Sequence, residues 1–260
     1  MLLLWLSAGV FAVFLFLPVL AILIRVLTTG GVLQTLGRPV VWHALQLSLF
    51  TTLVTLAITL VFGTPLAWVL ARHDFRGRAL VDSLIEMPMV LPPAVAGIGL
   101  LLAFGRRGLL GPSLESVGVT IGFTTMAVIL AQTFVAAPFY VRAARTAFLT
   151  IDRELEIVAH TLGVSEWATF WRVTVPVTLP VLLSGAVMSW ARALGEFGAT
   201  LMFAGSFEGR TQTMPLAIYA ALESDFNATL VLSMILVVFS FGLLLLLRLG
   251  IRRLHGGELA

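Results

Sequence analysis

Arg192 and Glu196 stand four residues apart inside a long apolar stretch, on one face if that stretch is a helix. Ionisable groups at membrane depth are costly, so they pair or line a cavity. Arg192 can attract an anion, but a bare arginine would also trap it, and conduction needs release. Arginine first and glutamate second is the less favourable helical order, so each residue can have a partner on another helix or in a second subunit. Two readings stay open. The pair holds a gate on a path through the membrane, or it locks helices together without touching substrate.

Other polar or helix-breaking residues sit in similar surroundings. Thr52, Thr55 and Thr59 share one face of an apolar run and can hydrate a path, although helical hydroxyls commonly bond to their own backbone. Pro92 and Pro93, with Pro88 before them, remove hydrogen bonds and break or kink their span. Freed backbone donors at such a break suit an anion. The plainer alternative is a packing kink.

Several chemistries are excluded. All sixteen basic residues are arginine, so no phosphate-binding loop with its lysine exists; any ATP-driven step would need another polypeptide to supply the ATPase. There is no cysteine, hence no disulfide framework and no thiolate chemistry. His43, His73, His160 and His255 are scattered, unlike a metal site. No nucleophile–histidine–aspartate constellation stands out in the apolar runs.

The elements that hold these residues follow from composition. Hydrophobic residues make up 59% of the chain and charged ones 11%, against roughly 25% charged in soluble domains. The chain reads as an all-α integral membrane protein, because helices satisfy their own backbone where water is absent. Six runs reach the length needed to span: 3–27, 44–71, 79–104, 123–148, 176–204 and 228–249. Arginines concentrate after the second, fourth and sixth runs. That places those connections and both termini in the cytoplasm. The connections 28–43, 105–122 and 205–227 then face outward.

One connection is different. Residues 149–175 interrupt the oil with a polar helix and a second short one. Thr150 or Asp152 caps the start, and Glu154 and Glu156 lie in the first turn. Ile151, Leu155, Val158 and Leu162 recur on one face, expected to pack on the bundle. Gly163 suits a left-handed helix end, and Ser165 caps the second helix ahead of Glu166. Asp152, Glu154, Glu156 and Glu166 oppose only Arg153 and Arg172, so an anionic lipid surface would repel this loop. A protein partner is the better account.

The loop resembles that of the inner-membrane permeases of ABC importers, whose pattern is E-A-A, three residues, G, nine residues, then aliphatic, any, aliphatic and P. Here Ile157, Val158 and Ala159 precede Gly163, and Val173-Thr174-Val175-Pro176 follows at the family spacing. The first position departs: Ile157 stands where the family has an acid, and Glu156 lies one place earlier. "ARALGEFGATLMFAG" at 191–205, "TQTMPLAIYAALESDFNAT" at 211–229 and "PMVLPPAVAGIGLLLAFGRRGLLG" at 88–111 are similar to the molybdate permeases of the oxyanion branch.

The resemblance implies a type I importer permease: one transmembrane domain over 1–260, with 149–175 as a coupling loop within it. It implies a homodimer around one path, an external substrate-binding protein, and an oxyanion substrate. Two ATP-binding cassette ATPase subunits would grip residues 152–172 of each copy, and would hydrolyse ATP with Mg. The coupling residues are then Glu154, Glu156, Ile157, Val158, Ala159, His160, Leu162, Gly163, Ser165 and Glu166. The chain itself would bind no cofactor and no nucleic acid, and would lie in lipid in the cell inner membrane. Alternatives are a sulfate or tungstate permease, a scaffold subunit with no path, or a stand-alone secondary transporter or channel. The last would have only Glu196 and Glu86 as coupling carboxylates.

Overall fold

The computed structural model describes residues 1–256, without the side chains of residues 29, 243 and 246–256. Arg248, Arg252, Arg253 and His255 therefore fall outside the described side chains. Helices dominate, and no strand occurs among the described residues. The chain separates into two compact units, one from Met1–Ser48 with Ser206–Leu246, the other chiefly from Leu49–Gly205.

The first unit opens with α1 (Leu2–Thr29), apolar all round and largely exposed, as a lipid-facing helix must be. The short α2 (Val32–Leu36) leads into α3 (Pro39–Arg72), which belongs to this unit as far as Ser48 and to the second from Leu49; its 34 residues rise about 51 Å, more than a bilayer core needs. The unit closes with α12 (Met214–Ser224) and α13 (Phe226–Gly256). Val41 and Ala44 of α3 pack with Met214, Ala217 and Leu232. Asp225 caps α13 by accepting from the Ala228 N–H at 3.0 Å, and its other oxygen meets Arg38 at 2.9 Å.

The second unit holds the candidate site. Its helices are α4 (Arg78–Val90), α5 (Pro93–Phe104), α6 (Gly111–Ser116), α7 (Thr125–Thr150), α8 (Arg153–Thr161) and α9 (Glu166–Thr169). A π-helical turn (Phe170–Thr174) then leads into α10 (Val175–Leu194), followed by α11 (Gly198–Ala204). Two packed layers form along α7. Its first half buries Ala127, Val128 and Ala131 against Leu100 of α5 and Phe203 of α11. Its second half buries Tyr140, Ala144 and Phe148 against Ala67 of α3 and Leu182 of α10.

Two expected spans are not single helices. The run 79–104 breaks at Leu91–Pro92, and α4 and α5 meet at a bend of 118°. Leu91 and Pro92 are extended, because a residue before proline avoids the helical region. The run 176–204 ends at Leu194 and restarts at Gly198. Among the described residues, four helices are long and apolar enough to cross a membrane, or five if the bent pair counts as one span. α13 adds a shorter apolar stretch over Phe226–Gly242, and the count of six is not confirmed among the described residues.

Candidate functional site

The loop between α7 and α10 is built by its caps. Asp152, not Thr150, caps α8: its Oδ1 accepts from the Glu154 N–H at 3.0 Å. Glu154 and Glu156 lie in the first turn, where the helix dipole favours negative charge. Gly163 ends the element at φ 81°, a backbone state in which a Cβ is strained. Ser165 caps α9 by accepting from the Ala168 N–H. Phe170 then seats its ring beside Trp68 at 5.8 Å and Phe148 at 6.0 Å, tying the loop to the second layer of the unit.

The apolar face of α8 points the other way from the expectation. Ile151 is buried, but Leu155, Ile157 and Val158 are exposed and Leu162 is 78% exposed. The face that packs inward carries Glu156 and Ala159, three residues apart. Glu156 is the reason. Its Oε1 accepts from Arg72 Nη2 at 2.8 Å and from Thr174 Oγ1 at 2.8 Å. With its carboxylate anchored inward, α8 must turn its aliphatic side out. Glu154, His160, Ser165 and Glu166 are exposed beside that side, and Trp167 extends it.

Arg192 and Glu196 do pair, Nη2 to Oε2 at 2.7 Å. The glutamate is 1% exposed and the arginine 28%. Glu196 lies in the break between α10 and α11, and its Oε1 accepts from the Ala199 N–H at 2.8 Å. The glutamate therefore does two jobs: it caps α11 and compensates a charge at the end of α10. The partner that the helical order left open is the neighbour on the same chain.

Thr52, Thr55 and Thr59 are buried between helices of the unit. Thr52 accepts from the Trp190 indole N–H at 3.2 Å, and Thr55 donates to the Ile129 carbonyl and to Gln132, both at 3.3 Å. Thr52 and Thr55 thus bond to neighbouring helices, whereas the Thr59 hydroxyl is buried without a hydrogen-bond partner. Pro92 and Pro93 start α5 at the bend, where α5 packs closely on α11. A Cβ on Gly97 would lie 2.6 Å from the Ala199 carbonyl oxygen, so only glycine fits there.

Three functional side chains escaped the sequence. Arg72 and Thr174 complete the Glu156 contact from positions 84 and 18 residues away. Gln132, buried, bridges α7 to α3. A lone amide in an apolar run was a signal for Gln132. Nothing distinguished Arg72 from the topogenic arginines around it. Arg145 is likewise ion-paired, with Asp82 at 3.1 Å, so these arginines do more than set orientation.

Residues 63–255 match the family described as the binding-protein-dependent transport system inner membrane component. The chain is 46% identical over 226 residues to the molybdenum transport system permease protein ModB of Mycobacterium tuberculosis, covering 87% of this chain and 85% of that one. It is 34% identical over 233 residues to the "Probable sulfate transport system permease protein cysT" of Chlorokybus atmophyticus, covering 88% and 82%. Its fold is similar to a chain of a bacterial ABC transporter involved in the import of the acidic polysaccharide alginate. The TM-score is 0.73 at 16% identity, over 96% of this chain and 94% of that one. The matched span and the identity to these relatives show that this chain belongs to the binding-protein-dependent transport system inner membrane component family.

Proposed function

We propose that residues 1–260 act as one permease domain of an ATP-driven molybdate importer. Two copies enclose the path, an external binding protein delivers the anion, and two ATPase subunits grip residues 152–172 of each copy. Both termini and the loop 149–175 face the cytoplasm, since the arginine-rich connections lie on that side. The chain is not itself an enzyme: without lysine it has no ATP-binding loop, and ATP with Mg is hydrolysed by the partner. The exposed aliphatic row of α8, flanked by Glu154 and Glu166, suits a cleft with an apolar floor and a basic rim.

Arg192 and Glu196 serve the path. The arginine supplies attraction for a divalent oxyanion and the glutamate keeps that attraction weak enough for release. Pro92–Pro93 and the break at 195–197 are the joints at which α5 and α11 can tilt together.

The observation that carries molybdate is the 46% identity to a molybdenum permease over 226 residues, against 34% to the sulfate relative. The second figure keeps sulfate as the competing reading. Competition decides between them: proteoliposomes holding the full complex take up radiolabelled molybdate, and excess sulfate leaves uptake unchanged while excess unlabelled molybdate abolishes it. Suppression by equimolar sulfate would transfer the assignment to sulfate.

A further inference from the structure

Besides its buried apolar contacts, the loop 149–175 is tied to the bundle by the carboxylate of Glu156. Glu156 Oε1 is shared by Arg72 Nη2 and Thr174 Oγ1, each at 2.8 Å. Arg72 is the last residue of α3, and its side chain is only 8% exposed. Thr174, buried, closes the π-helical turn that leads into α10. Three elements thus converge on one oxygen: α8, the end of α3 and the start of α10.

A nearly buried ion pair is weak as a source of stability, because desolvation offsets its attraction. Its worth lies in fixing geometry: α8 cannot slide or roll without dragging α3 and α10. π-helical turns are uncommon and lie frequently at functional sites. Here the turn lies between α9 and α10, at the point where displacement of the loop reaches a spanning helix. Ala159 packs inward one turn along, so α8 touches the bundle through Glu156 and a small apolar neighbour.

We propose that Glu156, clamped to Arg72 and Thr174, is a positioning residue that converts movement of α8 into movement of α3 and α10. It does not contact the motor itself; Glu154, Glu166 and the exposed row of α8 do. The proposal rests on the importer reading above. It predicts slippage: the complex assembles and hydrolyses ATP, but less substrate crosses per ATP.

The test uses the full chain reconstituted with its ATPase and binding protein, with radiolabelled molybdate as probe. Molybdate moved per ATP hydrolysed is measured alongside the amount of ATPase retained on the chain. E156Q should lower the ratio about tenfold while ATPase stays bound. The charge swap R72E with E156R should recover much of it. If E156Q does not assemble, T174V keeps the ion pair and should still lower the ratio. An unchanged ratio in E156Q or, failing its assembly, in T174V overturns the proposal. So does loss of ATPase binding in E156Q with the ratio preserved, which would make Glu156 a direct contact. Absence of ATP-dependent uptake in the unsubstituted complex would remove the importer reading, and the clamp's role with it.

Discussion

At the scale of single residues, the two functions of Glu196 can be separated by substitution. Glutamine keeps an oxygen for the Ala199 N–H but loses the charge that faces Arg192. Glu196→Gln should fold normally, bind oxyanion more tightly and transport it about tenfold more slowly. Glu196→Ala also loses the cap, and should lower stability by about 1 kcal/mol in thermal unfolding of the purified protein. Arg192→Lys keeps the charge without the planar fork, so uptake should fall with the protein well folded. Unchanged uptake in Arg192→Ala would remove the gate. Asp225 gives a pH test outside the spans. The Ala228 N–H, and then Arg38, hold its carboxyl below the usual carboxylate range. Its contribution is full above the ordinary value near about 4 and disappears as pH falls through the lowered one. Protection of the Ala228 amide against hydrogen exchange, taken relative to the intrinsic rate at each pH, should therefore fall as pH drops through the lowered value, and Asp225→Asn should abolish that loss of protection. The Arg192–Glu196 pair was legible because two charges in oil need each other. The Glu156–Arg72 pair was not, because both residues sat among charges that topology already explained.

At the scale of elements, caps and stops were readable and faces were not. Asp152, Gly163 and Ser165 delimit the loop helices as their chemistry demands. Gly163→Ala should cost about 1 kcal/mol through the left-handed backbone alone, since nothing lies within 4 Å of its Cβ position. Gly97→Val should do more damage. Its side chain would strike the Ala199 carbonyl, part α5 from α11, and give a protein that unfolds at lower temperature. Periodicity placed Leu155, Val158 and Leu162 on one face but could not say which way it turned. The usual rule buries the apolar side. Here the anchored carboxylate reverses it, leaving an aliphatic surface that needs a partner. The prolines announced a break in 79–104, but not its 118° bend. The second break, at 195–197, had no proline and showed itself only in the structure.

At the scale of the whole molecule, composition pointed to a membrane protein, and apolar runs that are continuous where a β-barrel would alternate pointed to helices. The count of six spans is not confirmed among the described residues, and length and hydropathy did not register a helix that stops and restarts. The broken spans lie in the unit that carries both the polar loop and the Arg192–Glu196 pair. A subunit assembled this way should not move substrate alone: the Glu196 carboxylate is committed to an arginine and a helix cap. The most direct test is uptake of radiolabelled molybdate into proteoliposomes, measured for the chain alone and for the chain with its ATPase, binding protein and ATP. The account predicts accumulation only in the complete, ATP-supplied system. Uptake by the isolated chain without ATP would contradict it.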